Sequence, residues 1–135
     1  MNYQIVEIEG VGEAYAAKLK EAGIKTVSEL LEKGATDRGR KEISDATGIP
    51  FKLILKWVNH ADLFRINGVG PQFAELLEAS GVDTVKEFRH RNAENLAVKM
   101  AEVNEAKHLT RRVPSAVELQ KMIDQAAMLP PKITY

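Results

Sequence analysis

The chain contains 135 residues, 44% of them hydrophobic, and its 19 Lys and Arg residues balance 19 Asp and Glu residues. This length corresponds to one domain or two small ones, the apolar fraction is sufficient for a buried core, and the zero net charge removes the strongly basic composition that favours nucleic-acid binding. There is no cysteine, which excludes a disulfide framework and thiolate metal sites.

Nothing in the sequence predicts export or membrane insertion. The segment Met1–Glu7 lacks the basic and apolar regions of a signal peptide. The longest apolar run, Phe51–Val58, contains two lysines and is much shorter than the roughly 20 residues that span a bilayer. We therefore expect a cytoplasmic protein with no membrane partner.

The first part of the chain predicts short helices separated by glycine. Gln4–Ile8 has room for one or two turns, and Gly12–Ala22 carries apolar residues at helical spacing. Thr26 and Glu29 form a capping box, in which the hydroxyl accepts one unpaired N–H and the carboxylate accepts another. This box begins a short helix that Gly34 ends.

Two longer helices follow in the sequence. Asp37–Thr47 predicts a helix with Ala46 facing the core. Phe51–Phe64 shows the apolar periodicity of a core helix, and we expect Trp57 to be buried in it. The polar run Asn59–Asp62 predicts a break or bend near its end.

The second half repeats this order with one longer helix. Thr84 and Glu87 form a second capping box, and Ser115 and Glu118 a third. Val117 is among the residues expected to face inward. Pro-Pro after the last helix predicts its end, followed by a loose tail. Helices are predicted at Pro71–Ser80, Glu94–Lys107 and Ala116–Leu129, and nothing reads as a strand.

Two stretches of the chain are near copies of each other. Ile8–Gly12 reads IEGVG and recurs as INGVG at Ile66–Gly70, 58 residues later. At this offset, Ile8–Leu30 and Ile66–Phe88 share ten identities in 23 positions. Unrelated segments of this length share about one or two, so we interpret the pattern as a duplication.

Each glycine of the repeated stretch has a predicted role. The first, Gly10 or Gly68, is expected to take a positive φ after a short helix. The second, Gly12 or Gly70, lets the chain enter the next helix at a sharp angle without a Cβ clash. The valine between them is expected to pack into the core.

These stretches resemble the helix-hairpin-helix motif, which reads apolar-x-Gly-apolar-Gly followed by a helix with Ala and Leu. Roughly residues 3 to 129 further resemble a bacterial family of duplicated helix-hairpin-helix proteins that is catalogued as a domain of unknown function. The family pattern is found here in Gly68–Leu77, Gly81–Phe88 and Pro114–Ala126. The sequence match to the helix-hairpin-helix motif is specific. The function that this match implies is not specific.

The resemblance implies an all-α fold of tandem helix-hairpin-helix halves, similar to SAM domains, packed into one body. The expected divisions are residues 1–64 for the first half, residues 65–129 for the second and residues 130–135 for a flexible tail. In this arrangement Gly10, Val11 and Gly12 form a structural hairpin.

The residues predict no catalytic, metal or cofactor site. A dinucleotide fingerprint needs a small residue where Tyr15 and Phe73 stand, and it needs a preceding strand. The three histidines do not have the spacing of metal ligands, and each is expected to be solvated or to cap a helix. We find no nucleophile–base pair. The protein is therefore expected not to be an enzyme.

The remaining candidate activity is phosphate binding at a hairpin. Helix-hairpin-helix proteins use the N–H groups at a helix start to hold a DNA backbone without reading sequence. Glu7, Glu9 and Glu13 surround the first hairpin and would repel phosphate. The second hairpin is neutral to basic at its start, but Glu75 and Glu78 follow, so it permits phosphate binding without favouring it strongly. The predicted phosphate-binding residues are Arg65, Gly68, Val69, Gly70 and Gln72.

A basic stretch follows the second hairpin. From Lys86 to Arg112 there are seven Lys or Arg residues and four Glu residues. The predicted basic patch comprises Arg89, Arg91, Lys107, Arg111 and Arg112. Two functions stay open: weak, sequence-independent DNA binding, and a protein-interaction or structural module in which the hairpins serve packing.

Overall fold

The computed structural model describes residues 3–135 and confirms that this part of the chain is all-helical. Across these residues there are eight α-helices, no strand, and one isolated β-bridge between Gln4 and Thr26. A short 3₁₀ turn, Ile5–Glu7, comes first. The α-helices are α1 (Glu13–Glu21), α2 (Val27–Lys33), α3 (Asp37–Thr47), α4 (Phe51–Leu63), α5 (Pro71–Ala79), α6 (Val85–Phe88), α7 (Ala93–Lys107) and α8 (Ala116–Met128).

Side-chain caps determine where several of these helices begin. Complete capping boxes at Thr26–Glu29 and Ser115–Glu118 confirm two predictions. At the third, the Thr84 hydroxyl accepts the Glu87 N–H at 3.2 Å, and the Glu87 carboxylate accepts the Asp83 N–H, also at 3.2 Å. Because these bonds are local in sequence, the starts of α2, α6 and α8 follow from the sequence.

The chain divides into two compact units. The first runs to Asp62 and also includes Lys132–Tyr135, and the second is Leu63–Pro131. Each unit contains one copy of the repeated glycine stretch.

The core of the first unit is centred on Trp57, which is 1% exposed as predicted. The Tyr15 ring packs against the Trp57 ring, with centroids 5.3 Å apart and planes at 60°, a tilted aromatic pair. Aliphatic side chains complete this core, among them the fully buried Ile5, Leu19 and Leu30.

The second unit has its own core. Helix α7 packs on α5 and α8, and α6 packs on α8. The buried side chains include Leu77 of α5, Phe88 of α6, Met100 of α7 and Leu119 of α8. Each is fully removed from solvent, so each contributes close to its full transfer free energy to the stability of the unit.

Four expectations about α3, α4 and α8 are wrong. Helix α4 continues through Asn59–Asp62 without a break, because three polar side chains in this run are buried in the fold rather than solvated. His60 is among them, so it is not a solvated histidine. Ala46 is exposed at the end of α3. Val117, in the first turn of α8, is 68% exposed and does not face inward.

The last four residues are bonded to the first unit rather than loose. The Thr134 N–H donates to the Ala35 carbonyl at 2.8 Å, and the Ile133 side chain is buried. Arg40, itself buried, donates to the Thr134 carbonyl at 2.6 Å. Lys132–Tyr135 therefore have defined contacts, and the flexibility predicted for residues 130–135 stays a prediction.

Candidate functional site

The backbone of the repeated stretch is nearly the same in both copies. Gly10 has φ +91° and Gly68 has φ +90°, which confirms the positive φ predicted for the first glycine. Gly12 (φ −76°, ψ 175°) and Gly70 (φ −102°, ψ −174°) are extended and cap the following helix. We name these segments the first glycine turn, Ile8–Gly12, and the second glycine turn, Ile66–Gly70.

The hydrogen bonds of the two turns also recur at the 58-residue offset. Val11 N–H donates to Ile8 O at 3.0 Å, and Val69 N–H donates to Ile66 O at 3.2 Å. Val11 and Val69 are both buried, as expected for the residue between the glycines. Each turn is therefore closed by its own backbone.

A second pair of glycines ends the helix that follows each turn. Gly23 after α1 and Gly81 after α5 have φ +85° and +95°. The Lys33 ammonium donates to Gly23 O at 3.4 Å, and the Arg91 guanidinium donates to Gly81 O at 3.1 Å. Arg91, predicted to lie in a basic patch, thus caps the end of α5 and occupies the position equivalent to Lys33.

The helices that follow the glycine turns lack the side-chain caps that five other helices have. Helices α2, α3, α6, α7 and α8 begin with a Thr, Asn or Ser whose side-chain oxygen accepts an N–H of the first turn. Helices α1 and α5 begin with Gly12 and Gly70, which have no side chain to do so. The first-turn N–H groups of a helix lack intrahelical partners and carry the positive end of its dipole. An external anion is the natural acceptor for such groups.

The surroundings of the first glycine turn are acidic. A surface cavity of about 360 Å³ is lined by Val6–Gly12 and includes the Glu7 and Glu9 residues. The Glu7 carboxylate accepts the Gln4 N–H at 2.7 Å. Glu13, the first residue of α1, is exposed. Three carboxylates therefore lie within this short segment of chain, as predicted.

Helix α8 covers part of the second glycine turn. The Asn67 N–H donates to Gln125 Oε1 at 3.0 Å. A Cβ placed on Gly68 would lie 3.2 Å from the Met122 methyl. A surface cavity of about 260 Å³ is lined by Asn67, Gln125 and Met122 together with Lys121 and Glu118. Lys121 thus brings a cation to the second turn that sequence reasoning missed.

The signal for Lys121 was present in the sequence in part. Glu118, Lys121, Met122 and Gln125 follow the i, i+3, i+4, i+7 spacing of one helix face. This spacing predicts that the four share a face, but it does not say which part of the chain that face contacts. Only the tertiary packing of α8 on the second turn supplies that information.

The other residues predicted at the second turn have these positions. Arg65 donates to the Pro130 carbonyl at 2.7 Å and is half-buried. Gln72 is exposed in the first turn of α5. Pro71 is the first helical residue and has no N–H, so it reduces the number of donors that this helix start offers.

The predicted basic patch is not uniformly available. Arg89 is half-buried beyond the end of α6, whereas Lys107 and Arg111 are exposed. Arg112 makes two hydrogen bonds to the Glu118 carboxylate, at 2.8 and 2.6 Å. This bidentate pair neutralises Arg112 locally. It also lowers the pKa of the Glu118 carboxyl to about 2, with help from the Ser115 N–H.

A groove on the first unit is a separate feature. It has a volume of about 440 Å³, and the buried Ile24 and Ile43 contribute apolar side chains to it. Ala46, which was predicted to face the core, is exposed and lines this groove. Lys33 and Glu42 supply one charge of each sign.

Two further observations concern metals and membranes. Across residues 3–135, no group of three or more His, Asp or Glu side chains could hold a metal ion. In the same range, no helix is both long enough and apolar enough to cross a membrane.

His108 ends α7 with φ 53°, so it is a capping histidine, one of the two roles predicted for the histidines.

The fold and the two glycine turns define an all-α protein with a repeated backbone element. The sequence matches the family described as "Domain of unknown function (DUF4332)" over residues 9–129, and the chain belongs to this family. The resemblance to a domain-of-unknown-function family is thereby confirmed. Comparison with curated proteins and with solved structures found no match in either set.

Proposed function

We propose that this chain is a non-enzymatic tandem helix-hairpin-helix module that binds DNA weakly through phosphates, without reading sequence. In this proposal the two glycine turns are the hairpins. The second turn contacts the DNA backbone, and the first turn serves packing.

One observation carries the proposal: α1 and α5 begin with bare glycine caps after the same positive-φ turn, whereas five other helices have side-chain caps. A helix start without its own acceptor can donate N–H groups to a phosphate oxygen. Such contacts position a protein on DNA and carry no sequence information.

Local charge favours the second turn over the first. Lys121 lines the cavity at the second turn, and its neighbour Glu118 is paired with Arg112. Glu7 and Glu9 line the cavity at the first turn. Since the net charge of the chain is zero, the placement of charge decides whether a polyanion can approach.

The test is a salt titration of the purified chain with a fluorescent DNA duplex, followed by anisotropy. We expect a dissociation constant on the order of 10⁻⁴–10⁻⁶ M at physiological salt, tighter binding at lower salt, and little dependence on sequence. The slope of log K against log salt should be roughly −0.9 for each phosphate neutralised, so a few contacts give a modest slope. No binding at about 20 mM salt and micromolar protein would contradict the proposal.

A matched pair of variants locates the contact. Lys121→Ala removes the cation at the second turn, and Lys52→Ala removes an exposed lysine from the start of α4. We expect Lys121→Ala to weaken binding and to reduce the magnitude of the salt slope by about 0.9, the value for one phosphate contact. Lys52→Ala should leave the slope unchanged. Equal effects of the two variants would mean diffuse attraction rather than a site.

The alternative function is a protein-interaction module. The groove lined by Ile24, Ile43 and Ala46 favours it, because apolar surface rimmed by charge is typical of interaction sites. Arg91 and Arg112 also favour the interaction module, because both bond to other groups of the chain: Arg91 to the Gly81 carbonyl and Arg112 to the Glu118 carboxylate. This candidate predicts that Ala46→Glu abolishes capture of a protein partner while DNA titration shows no binding.

A further inference from the structure

The segment Lys132–Tyr135, here called the tail, is bound to the first unit as an extended peptide. The Thr134 N–H donates to Ala35 O at 2.8 Å, and Arg40 Nη2 donates to Thr134 O at 2.6 Å. Both backbone groups of Thr134 are thereby bonded. Main-chain recognition of this kind gives affinity to any extended segment that fits.

The neighbouring side chains of the tail add selectivity. Ile133 is buried, with 9% of its surface exposed. The Tyr135 hydroxyl donates to Asn59 Oδ1 at 3.1 Å, and the Arg40 guanidinium lies 5.4 Å from the Tyr135 ring centroid. The bound pattern is therefore an apolar residue, a residue held by its backbone, and an aromatic residue.

Arg40 is the centre of this site. Only 1% of its surface is exposed. Its Nη1 donates to Gly34 O at 2.9 Å and to Ala35 O at 3.2 Å, and Asp37 lies 3.9 Å from its Nη2. A buried guanidinium is costly unless its N–H groups are bonded. The Thr134 carbonyl accepts the shortest hydrogen bond that Arg40 makes. Without the tail, the Arg40 guanidinium would lose this acceptor, and another peptide carbonyl could replace it.

The tail is attached in a way that permits its release. It contributes one buried side chain, and Tyr135 is 72% exposed. Segments with few buried apolar contacts open at a small fraction of the global unfolding free energy. The preceding Pro130-Pro131 is a stiff, extended linker rather than part of α8.

We propose that Ala35, Arg40 and Asn59 form a binding site for an extended peptide, that the tail occupies this site in cis, and that the tail of a second copy is its alternative occupant. The second copy is favoured because its tail has the pattern that the site already binds. Exchange of an identical segment between copies is a low-cost route to a dimer.

Cysteine trapping tests the exchange, because the natural chain contains no cysteine. Full-length Ala35→Cys is mixed with full-length Thr134→Cys under mild oxidation. Each chain then carries one thiol, so a mixed disulfide joins two copies, and its rate above the collisional rate of a control reports the tail of one copy at the site of the other. Met128→Cys, at a residue 86% exposed near the tail, replaces Thr134→Cys in the control mixture.

We expect the Thr134→Cys mixture to form the mixed disulfide at least about tenfold faster than the control, because site occupancy raises the effective thiol concentration. Adding Ile133→Asp to the Thr134→Cys chain should lower the yield roughly 10- to 100-fold, the loss expected for one buried aliphatic side chain. Equal rates in both mixtures would overturn exchange with a second copy.

A peptide in trans tests the site itself. The probe is a labelled synthetic peptide of sequence PPKITY, which copies Pro130–Tyr135, and its control replaces the isoleucine with aspartate. Full-length Ile133→Asp has its own tail displaced, so we expect it to bind the probe at least about tenfold more tightly than the wild-type chain, whose tethered tail competes at roughly millimolar effective concentration. Met128→Asp should behave like the wild type. Absence of binding to folded Ile133→Asp would overturn the site.

Amide exchange in the wild-type chain keeps the proposal testable if Ile133→Asp fails to fold. The Thr134 N–H bonds to Ala35 O, and the Leu30 N–H bonds to Thr26 O inside the core. We expect the Thr134 amide to exchange about a hundredfold faster or more, because the tail opens locally. Equal protection of the two amides would show that the tail opens only with the whole unit and would overturn the proposal.

Discussion

Arg112 and Glu118 form a bidentate ion pair, with Nη2 of Arg112 at 2.6 Å from Oε2 of Glu118. The same carboxylate accepts the Ser115 N–H at 3.2 Å and completes the capping box of α8. One glutamate therefore joins the loop that precedes α8 to the start of that helix. It also removes Arg112 from the cations that a polyanion could contact.

The pair makes stability depend on acid pH. The bond from Arg112 lowers the pKa of Glu118 from 4.5 to about 2. A carboxyl with a lowered folded-state pKa stabilises the fold fully above its unfolded pKa, and this stabilisation is lost as the pH falls through the folded pKa. We therefore expect the melting-temperature difference between wild type and Glu118→Gln to shrink as the pH falls from 4.5 towards 2.

Neighbouring arginines provide the control for this prediction. In a carbon-detected titration, Arg112→Ala should return the pKa of Glu118 towards its ordinary value of 4.5. Arg111→Ala, at an exposed residue one position earlier, should leave it near 2. A Glu118 titration that is the same in both variants would contradict the role of the ion pair.

Gly39 marks a close approach of α3 to the end of α2. A Cβ at this position would lie 2.1 Å from the Lys33 carbonyl oxygen, a backbone atom that cannot move away cheaply. We expect Gly39→Ala to lower the free energy of unfolding by roughly 1–3 kcal/mol, because the clash outweighs the gain of about 1 kcal/mol in helix propensity. Urea unfolding measures the difference.

Gly12 is the matched control for this substitution. No atom lies within 4 Å of a Cβ placed on Gly12, so the prediction that Gly12 avoids a Cβ clash is wrong. Its φ of −76° suits any residue. Gly12→Ala should therefore change the free energy of unfolding by less than about 1 kcal/mol, the scale of a weakened helix cap. A larger loss for Gly12→Ala than for Gly39→Ala would contradict the packing argument.

The positive-φ glycines of the two turns are expected to resist substitution because of backbone strain, to which the Met122 methyl adds a close contact at Gly68. The nearest atom to a Cβ on Gly10 is Trp57 Nε1 at an ordinary 3.7 Å, so space is not limiting there. We expect Gly10→Val and Gly68→Val each to lower stability by roughly 1–3 kcal/mol, because a β-branched residue rarely adopts φ near +90°. Thermal melts test this, with Gly12→Val as the unstrained control. An unchanged melting temperature for Gly68→Val would refute it.

Local signals explain how much of the fold the sequence predicts. Helices α3 and α7 begin and end within one residue of expectation, because caps and glycines act over three or four residues. The positive φ of Gly10 and Gly68 followed from the same local reasoning. Local reasoning failed at Asn59–Asp62, where a polar run predicted a break in the helix. The sequence does not show that these polar side chains are buried inside the fold.

Long-range contacts explain what the sequence does not predict. Arg40 and Thr134 are 94 positions apart, and no local pattern connects them. Asn67 and Gln125 are 58 positions apart, so the proximity of Lys121 to the second glycine turn depends on how α8 packs. A buried arginine and a bonded tail are features of tertiary structure, for which composition and periodicity carry no signal.

Charge reversal at the first glycine turn is the sharpest test of the DNA proposal. Glu9→Lys with Glu13→Lys replaces two carboxylates beside the bare cap of α1 with two cations. If the two turns are equivalent hairpins, this change should create a second phosphate contact, strengthen binding and make the salt slope steeper by about 0.9. Fluorescence anisotropy across a salt series measures both quantities.

The control for this variant must change the net charge equally. Glu21→Lys with Glu32→Lys does so at two exposed residues of the same unit, away from the turn. General attraction of a more basic protein to DNA would make the two double variants bind alike. A hairpin-specific contact requires the Glu9/Glu13 variant to bind more tightly than the control at every salt concentration. If neither double variant binds at about 20 mM salt, the glycine turns serve packing, and the interaction module is the better account of the chain.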